Sequence, residues 1–267
     1  MSMKTVLKNS LKMLLLSLDS IQAVKATPVL LYHSVDKSNR IDSVSPDAFS
    51  KQMEYLYENQ YRVMSLDEIV EHIKNGGDSG RRRTVAITFD DGYESVYRHA
   101  LPILQRYGFT ASVFIPTKYI DKTSEWIEPS VPLLTWNEII SMKEMGFLFG
   151  SHGHSHRDLT DLTEGQARGE LEISKRILED KLGGPTKYIS YPFSKSNRVV
   201  EDITLGCGYE TLFSAFGAER EGMPREPCLF LRRSVMRDDK LLSFRCLLSN
   251  TYSYYSDIKR LMEMVAD

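Results

Sequence analysis

A chain of 267 residues with 42% hydrophobic and 26% charged residues has the size and balance of one large globular domain or at most two modest ones, which excludes a disordered polymer. Lys and Arg number 34 against 36 Asp and Glu, and the formal charge of -2 excludes a nonspecific polyanion binder, so no nucleic-acid partner is expected. Cys207, Cys228 and Cys246 are odd in number and lack a CxxC pair, which argues against a disulfide framework or a cysteine-based zinc site and for core thiols.

Residues 1–27 form an N-terminal extension in which lysines precede Leu14, Leu15 and Leu16. Ser17 and Asp19 interrupt this apolar run, and no convincing small-residue cleavage site follows, so a cytoplasmic location is expected, with a periplasmic or extracellular one as the alternative. No stretch approaches the ~20 apolar residues of a membrane-spanning helix, and no transmembrane segment is expected.

Residues 28–267 read as a single domain in which short apolar runs alternate with segments of helical period, the pattern of βα units around a parallel sheet. Pro28 to Tyr32 is a buried strand. Ser45 followed by Pro46 starts a helix whose apolar face carries Phe49, Met53 and Leu56. Ser65 with Glu68 forms a capping box for a second helix that ends at Gly76-Gly77, and Arg81, Arg82 and Arg83 read as a solvated edge. Thr84 to Phe89 is β-branched and apolar, hence a strand, and the helix carrying Val96, Ile103, Leu104 and Tyr107 is kinked or broken by Pro102. Ala111 to Ile115 and Phe147 to Phe149 are further strands, with a helix capped by Thr135 and Glu138 between them. Thr163 and Gln166 open a long helix that stops at Gly183-Gly184. Tyr188 to Tyr191, Thr211 to Phe216 and Leu229 to Val235 complete seven or eight strands of a barrel-like α/β domain, in which chemistry belongs at the strand ends.

Two polar clusters stand at such ends. Thr84 to Phe89 runs into Asp90 and Asp91, adjacent carboxylates whose side chains diverge, so one can bind a metal while the other faces substrate or water. Phe147 to Phe149 leads to His152-Gly-His154-Ser-His156, which holds three of the six histidines. If that segment is helical, His152 and His156 lie one turn apart and converge on one cation with a carboxylate from elsewhere, while His154 points away. His72 and His99, within helices, read as surface or core residues.

Thr88-Phe-Asp-Asp-Gly92 followed by His152-Gly-His-Ser-His-Arg-Asp-Leu159 resembles the first two motifs of the polysaccharide deacetylases, carbohydrate esterase family 4 with its NodB homology domain. Ala100 to Leu104, Gly108 to Phe114, the helix over 164–182 and Tyr191-Pro192-Phe193 extend the resemblance from residue 28 to residue 240. It implies an irregular, incomplete (β/α) barrel and a hydrolase that removes acetyl groups from an N-acetylated amino-sugar glycan or its precursor. Asp91, His152 and His156 match the family's metal triad, for one divalent ion, zinc by default with nickel, cobalt or iron as alternatives. Asp90 matches the catalytic base, and Phe193 would give its backbone N–H to the oxyanion. Tyr191, Pro192 and Trp126 are candidate substrate contacts, Trp126 forming a stacking wall with Tyr119 and Trp136.

Two positions depart from the family pattern. The third motif's arginine, which orients the base, is Ser190 here, and Arg232 or Arg233 is the candidate replacement. No histidine follows His156 to serve as the C-terminal catalytic acid, but Pro28 to Val35, with His33, resembles a circularly permuted branch that includes poly-N-acetylglucosamine deacetylases. His33 is therefore the expected acid, oriented by Asp238 or Asp239. The competing readings are an O-acetyl esterase on the same fold and a catalytically silent glycan-binding module.

Overall fold

The computed structural model describes residues 9–10, 12–14, 16, 27–74, 83–215, 220–221, 229–236 and 240–249. Gly76-Gly77, Arg81, Arg82, Cys228, Asp238 and Asp239 lie outside the described residues, as does most of the N-terminal extension.

Seven parallel strands close into a barrel: β1 (Val29–Tyr32), β2 (Thr84–Phe89), β3 (Ser112–Ile115), β4 (Leu148–Ser151), β5 (Tyr188–Ser190), β6 (Thr211–Ala215) and β7 (Leu229–Ser234). Their order is β1-β7-β6-β5-β4-β3-β2, and β2 pairs back onto β1 with Leu30 opposite Ile87. A short strand, Arg62–Val63, adds to the start of β2. Both faces of these strands are covered, which is why β1 and β2 are apolar and buried without alternation. The strand after Phe147 runs on to Ser151, past Gly150, whose place in it is steric: a Cβ there would sit 2.7 Å from the Phe114 ring and 2.9 Å from the Tyr188 carbonyl.

The helices are α1 (Pro46–Glu58), α2 (Leu66–Lys74), α3 (Leu101–Arg106), α4 (Trp136–Glu144), α5 (Glu164–Leu182), α6 (Arg198–Gly206) and α7 (Leu241–Leu248). Ser45 caps α1 by accepting from the Ala48 N–H, and Phe49, Met53 and Leu56 are buried against the barrel. The Phe49 ring packs at 5.2 Å from Tyr32 and 5.9 Å from Phe89, joining α1 to β1 and β2. The capping boxes at Thr135 and Thr163 are both formed, and Gly183 ends α5 at φ 67°. Before Pro102 the chain makes a π-helical turn, Val96–Ala100, that absorbs the hydrogen bond the proline cannot donate, so the helix is widened rather than broken. Among the described residues no helix is long and apolar enough to cross a membrane.

At the start of α2, Ser65 N–H donates to Glu68 Oε2 at 2.9 Å and Glu68 N–H donates to Ser65 Oγ at 3.2 Å. The bond from the Ser65 N–H, joined by the Arg62 charge, outweighs desolvation and holds the Glu68 carboxyl below its ordinary range. Ser65→Ala is expected to cost ~1 kcal/mol in denaturant unfolding. A Glu68→Gln deficit should be present above the ordinary carboxylate range and close as pH falls through the lowered folded value.

Candidate active site and metal centre

The end of β2 turns sharply, with Asp91 at φ 69° and Gly92 at φ 65°. This left-handed turn separates the two adjacent carboxylates: Asp90 faces the barrel interior, and Asp91 meets the histidines beyond β4. The segment from His152 to His156 is not a helical turn. It is an irregular loop with left-handed residues at Gly153 (φ 75°) and His156 (φ 54°). The two imidazoles converge through that loop rather than by helical spacing. Glu170 on α5 holds it, accepting the N–H groups of His154 at 3.0 Å and Ser155 at 2.7 Å and the Ser155 hydroxyl at 2.6 Å.

Asp91 Oδ1 lies 3.2 Å from His152 Nε2 and 3.0 Å from His156 Nε2, and the three buried donor atoms are within 4.8 Å of one another. His152 Nδ1–H donates to the Ser190 carbonyl at 2.7 Å, which aims the Nε2 lone pair at the centre. Burial outweighs the Asp91 bond at His156 and lowers its pKa, favouring the neutral ring a metal needs. At His152 burial is outweighed by the Asp90 charge and the Asp91 bond, and the pKa rises. One carboxylate and two imidazoles in this closed arrangement suit a divalent cation with open positions left for other ligands. His154 is turned away, its Nδ1 bonded to Thr117 Oγ1 at 2.9 Å.

Arg232 lies against Asp90 and Ser190. Its guanidinium, fully buried, donates Nη1–H to Asp90 Oδ1 and Nη2–H to Asp90 Oδ2, each at 2.7 Å. Nη2 also donates to Ser190 Oγ at 2.6 Å, Ser190 donates to Asp90 Oδ2 at 2.8 Å, and Nη1 reaches Thr88 Oγ1 at 3.1 Å. Burial would push the Asp90 carboxyl up; Arg232 outweighs it, with His152 and His33 adding to the effect, and the carboxyl is held below its ordinary range.

Arg233 does not face Asp90. Adjacent strand residues face opposite ways, and Arg233 donates to the carbonyls of Leu247 and Ser249, at the latter with 2.8 Å, at the end of α7. Asp238, the other proposed orienting residue, is outside the described residues. His33 follows β1, and its Nδ1 is buried without a hydrogen-bond partner among the described residues.

Phe193 sits at φ 57° in the turn Pro192–Ser194, 57% exposed, with its ring edge on His156 at 4.9 Å. Tyr191 is corrected as a sugar contact: its side chain is fully buried and donates to Thr204 Oγ1 at 3.0 Å. Pro192 is buried too and shapes the turn. Of the expected aromatic wall, Trp126 lies in the site but stacks on His156 at 4.1 Å. Tyr119 is buried behind Trp126, and Trp136 begins α4 beneath Lys181, so these two form no wall with it. Glu170 and Tyr93 were not anticipated. A lone glutamate on a helix and a tyrosine after a glycine carry no spacing signal, although Tyr93, directly after Asp91-Gly92, could have been flagged by its place at the strand end.

A family model described as polysaccharide deacetylase matches residues 77–212, half of the chain. The chain belongs to the polysaccharide deacetylase family. The Bacillus subtilis (strain 168) protein YxkH is 29% identical over 183 residues, covering 68% of this chain and 62% of that protein. The poly-beta-1,6-N-acetyl-D-glucosamine N-deacetylase of Staphylococcus aureus (strain N315) is 26% identical over 186 residues, covering 64% of this chain and 62% of its own length. The match thus spans less than two thirds of either relative. IcaB from Ammonifex degensii shares the polysaccharide deacetylase fold, with a TM-score of 0.71 at 24% identity over 85% of this chain and 98% of that one. BC0361, a polysaccharide deacetylase from Bacillus cereus, gives 0.69 at 25% identity over 84% of this chain and 69% of that one.

Proposed function

We propose that this polysaccharide deacetylase family member is a metal-dependent hydrolase that removes N-acetyl groups from an N-acetylhexosamine-containing glycan or glycan precursor. The observation that carries the reading is the buried Asp90–Arg232 pair beside the Asp91, His152 and His156 triad. A divalent cation held by that triad, zinc by default, would supply Lewis-acid polarisation of the amide carbonyl. Asp90, kept ionised by Arg232, takes a proton from the attacking water. The backbone N–H of Phe193 receives the carbonyl oxygen as it gains negative charge. His33 gives a proton to the leaving nitrogen, the C–N bond breaks, and water has been added as acetate plus a free amine. The likeness to the poly-beta-1,6-N-acetyl-D-glucosamine N-deacetylase of Staphylococcus aureus supports an N-acetylated amino-sugar substrate for this site.

Chito-oligosaccharides, poly-β-1,6-N-acetylglucosamine oligomers and nucleotide-linked N-acetylhexosamines are the substrates to try, with amine-specific labelling and acetate release as the readouts. New primary amine in step with acetate is expected. Acetate from O-acetyl sugars alone would transfer the reading to an esterase, and no acetate from metal-loaded protein on any substrate would leave a binding module.

His33→Ala should retain metal, lose most amide turnover and lose less on an activated ester, whose leaving group needs no proton. Equal losses on both substrates, or amide turnover at the wild-type rate, would defeat the acid assignment.

A further inference from the structure

The two histidines of the triad are held in different ways. His152 is fixed by a hydrogen bond from Nδ1 to the Ser190 carbonyl, whereas His156 Nδ1 is buried with no hydrogen-bond partner among the described residues. A ligating imidazole with nothing bonded to its second nitrogen keeps its orientation only if packing holds it. Trp126 supplies that packing: its ring stacks on His156 with centroids 4.1 Å apart and planes at 23°, and Phe193 meets the same imidazole edge-on.

The indole is itself anchored. Trp126 Nε1–H donates to the Tyr93 hydroxyl at 3.2 Å. Tyr93 is 1% exposed, and the Arg40 guanidinium lies 4.9 Å above its ring. The Tyr119 ring also meets the indole edge-on at 5.0 Å, and its hydroxyl donates to Glu125 at 2.9 Å.

We propose that Trp126 is a positioning residue for the metal centre, its ring face holding His156 and its N–H anchoring the indole to the buried Tyr93. The proposal rests on the reading that Asp91, His152 and His156 bind a metal. It also changes the part first expected of Trp126, because the face stacked on His156 is closed to a sugar ring.

The test compares wild type, Trp126→Phe, Tyr93→Phe, the double variant, Trp126→Ala and a His156→Ala control. Zinc affinity is measured by competition with a chromophoric chelator, and the ligand field is read from the visible spectrum of the Co(II) form. Thermal unfolding of each metal-free variant checks that the fold is kept. Trp126→Phe keeps a stacking ring and loses only the N–H, and Tyr93→Phe loses only the hydroxyl. Each should weaken zinc binding ~10-fold and shift the Co(II) spectrum, within the range for groups supporting metal ligands. The double variant should be no weaker than about either single one, because both cut the same link, and Trp126→Ala should lose ~100-fold. Wild-type zinc affinity and an unchanged Co(II) spectrum in both Phe variants would overturn the proposal. If His156→Ala also binds zinc as wild type does, the triad reading itself has failed, a different result.

Discussion

Replacing Arg232 with alanine is expected to cost about 3–5 kcal/mol of folding stability and ~10²-fold or more in turnover, the scale of a disabled general base. Asp90 is 3% exposed and Arg232 fully buried, so removing the cation strands a carboxylate where water cannot replace the lost partner. Arg232→Lys should recover little, because one ammonium cannot span both Asp90 oxygens while also serving Thr88 and Ser190. Ser190→Ala removes one hydroxyl from a network that keeps its ion pair and should cost ~1 kcal/mol. Denaturant unfolding of the metal-free proteins measures all three. An alanine variant as stable as wild type would show that the pair does not compensate the buried charge.

Asp90→Asn is expected to keep its metal and lower turnover by ~10²–10⁴-fold, since an amide cannot accept the proton of the attacking water. The triad comes from Asp91 across the left-handed turn, so its geometry does not depend on the Asp90 charge. Elemental analysis beside an acetate-release assay decides this. Loss of metal in parallel with turnover would mean that the two aspartates have exchanged roles.

What was legible in the sequence is what short segments determine. The helix start at Ser45 is set by the proline that follows it and those at Ser65, Thr135 and Thr163 by residues three apart, and all four caps form. The strand ends carrying Asp90-Asp91 and His152 to His156 follow from apolar runs that stop at polar clusters. Periodicity misled where the backbone left regular structure: His152 and His156 have helical spacing, yet a glycine and a left-handed histidine bring them together in a loop. The Arg232 and Arg233 pair shows a different limit. Strand alternation requires that only one of them point inward, but which one depends on pairing with β6 and β1, a property of closure that no local pattern encodes. Tyr191 was misplaced for a similar reason, since the motif that contains it exposes Phe193 while packing Tyr191 into the core beside α6.

The position of β1 between β2 and β7 has a bearing on how the chain is made. During synthesis β1 emerges first of the seven barrel strands, and β7, which seals the barrel by setting Arg233 opposite Leu30, emerges after the other six. Until then β1 has an open edge of unpaired backbone groups, a long-range pairing of the kind that folds slowly and invites misassociation. The guanidinium that neutralises Asp90 travels on that same last strand. A nascent or truncated chain ending before Arg232 therefore has its adjacent aspartates and its histidines but no counter-charge for Asp90, which ties completion of the candidate site to the arrival of β7.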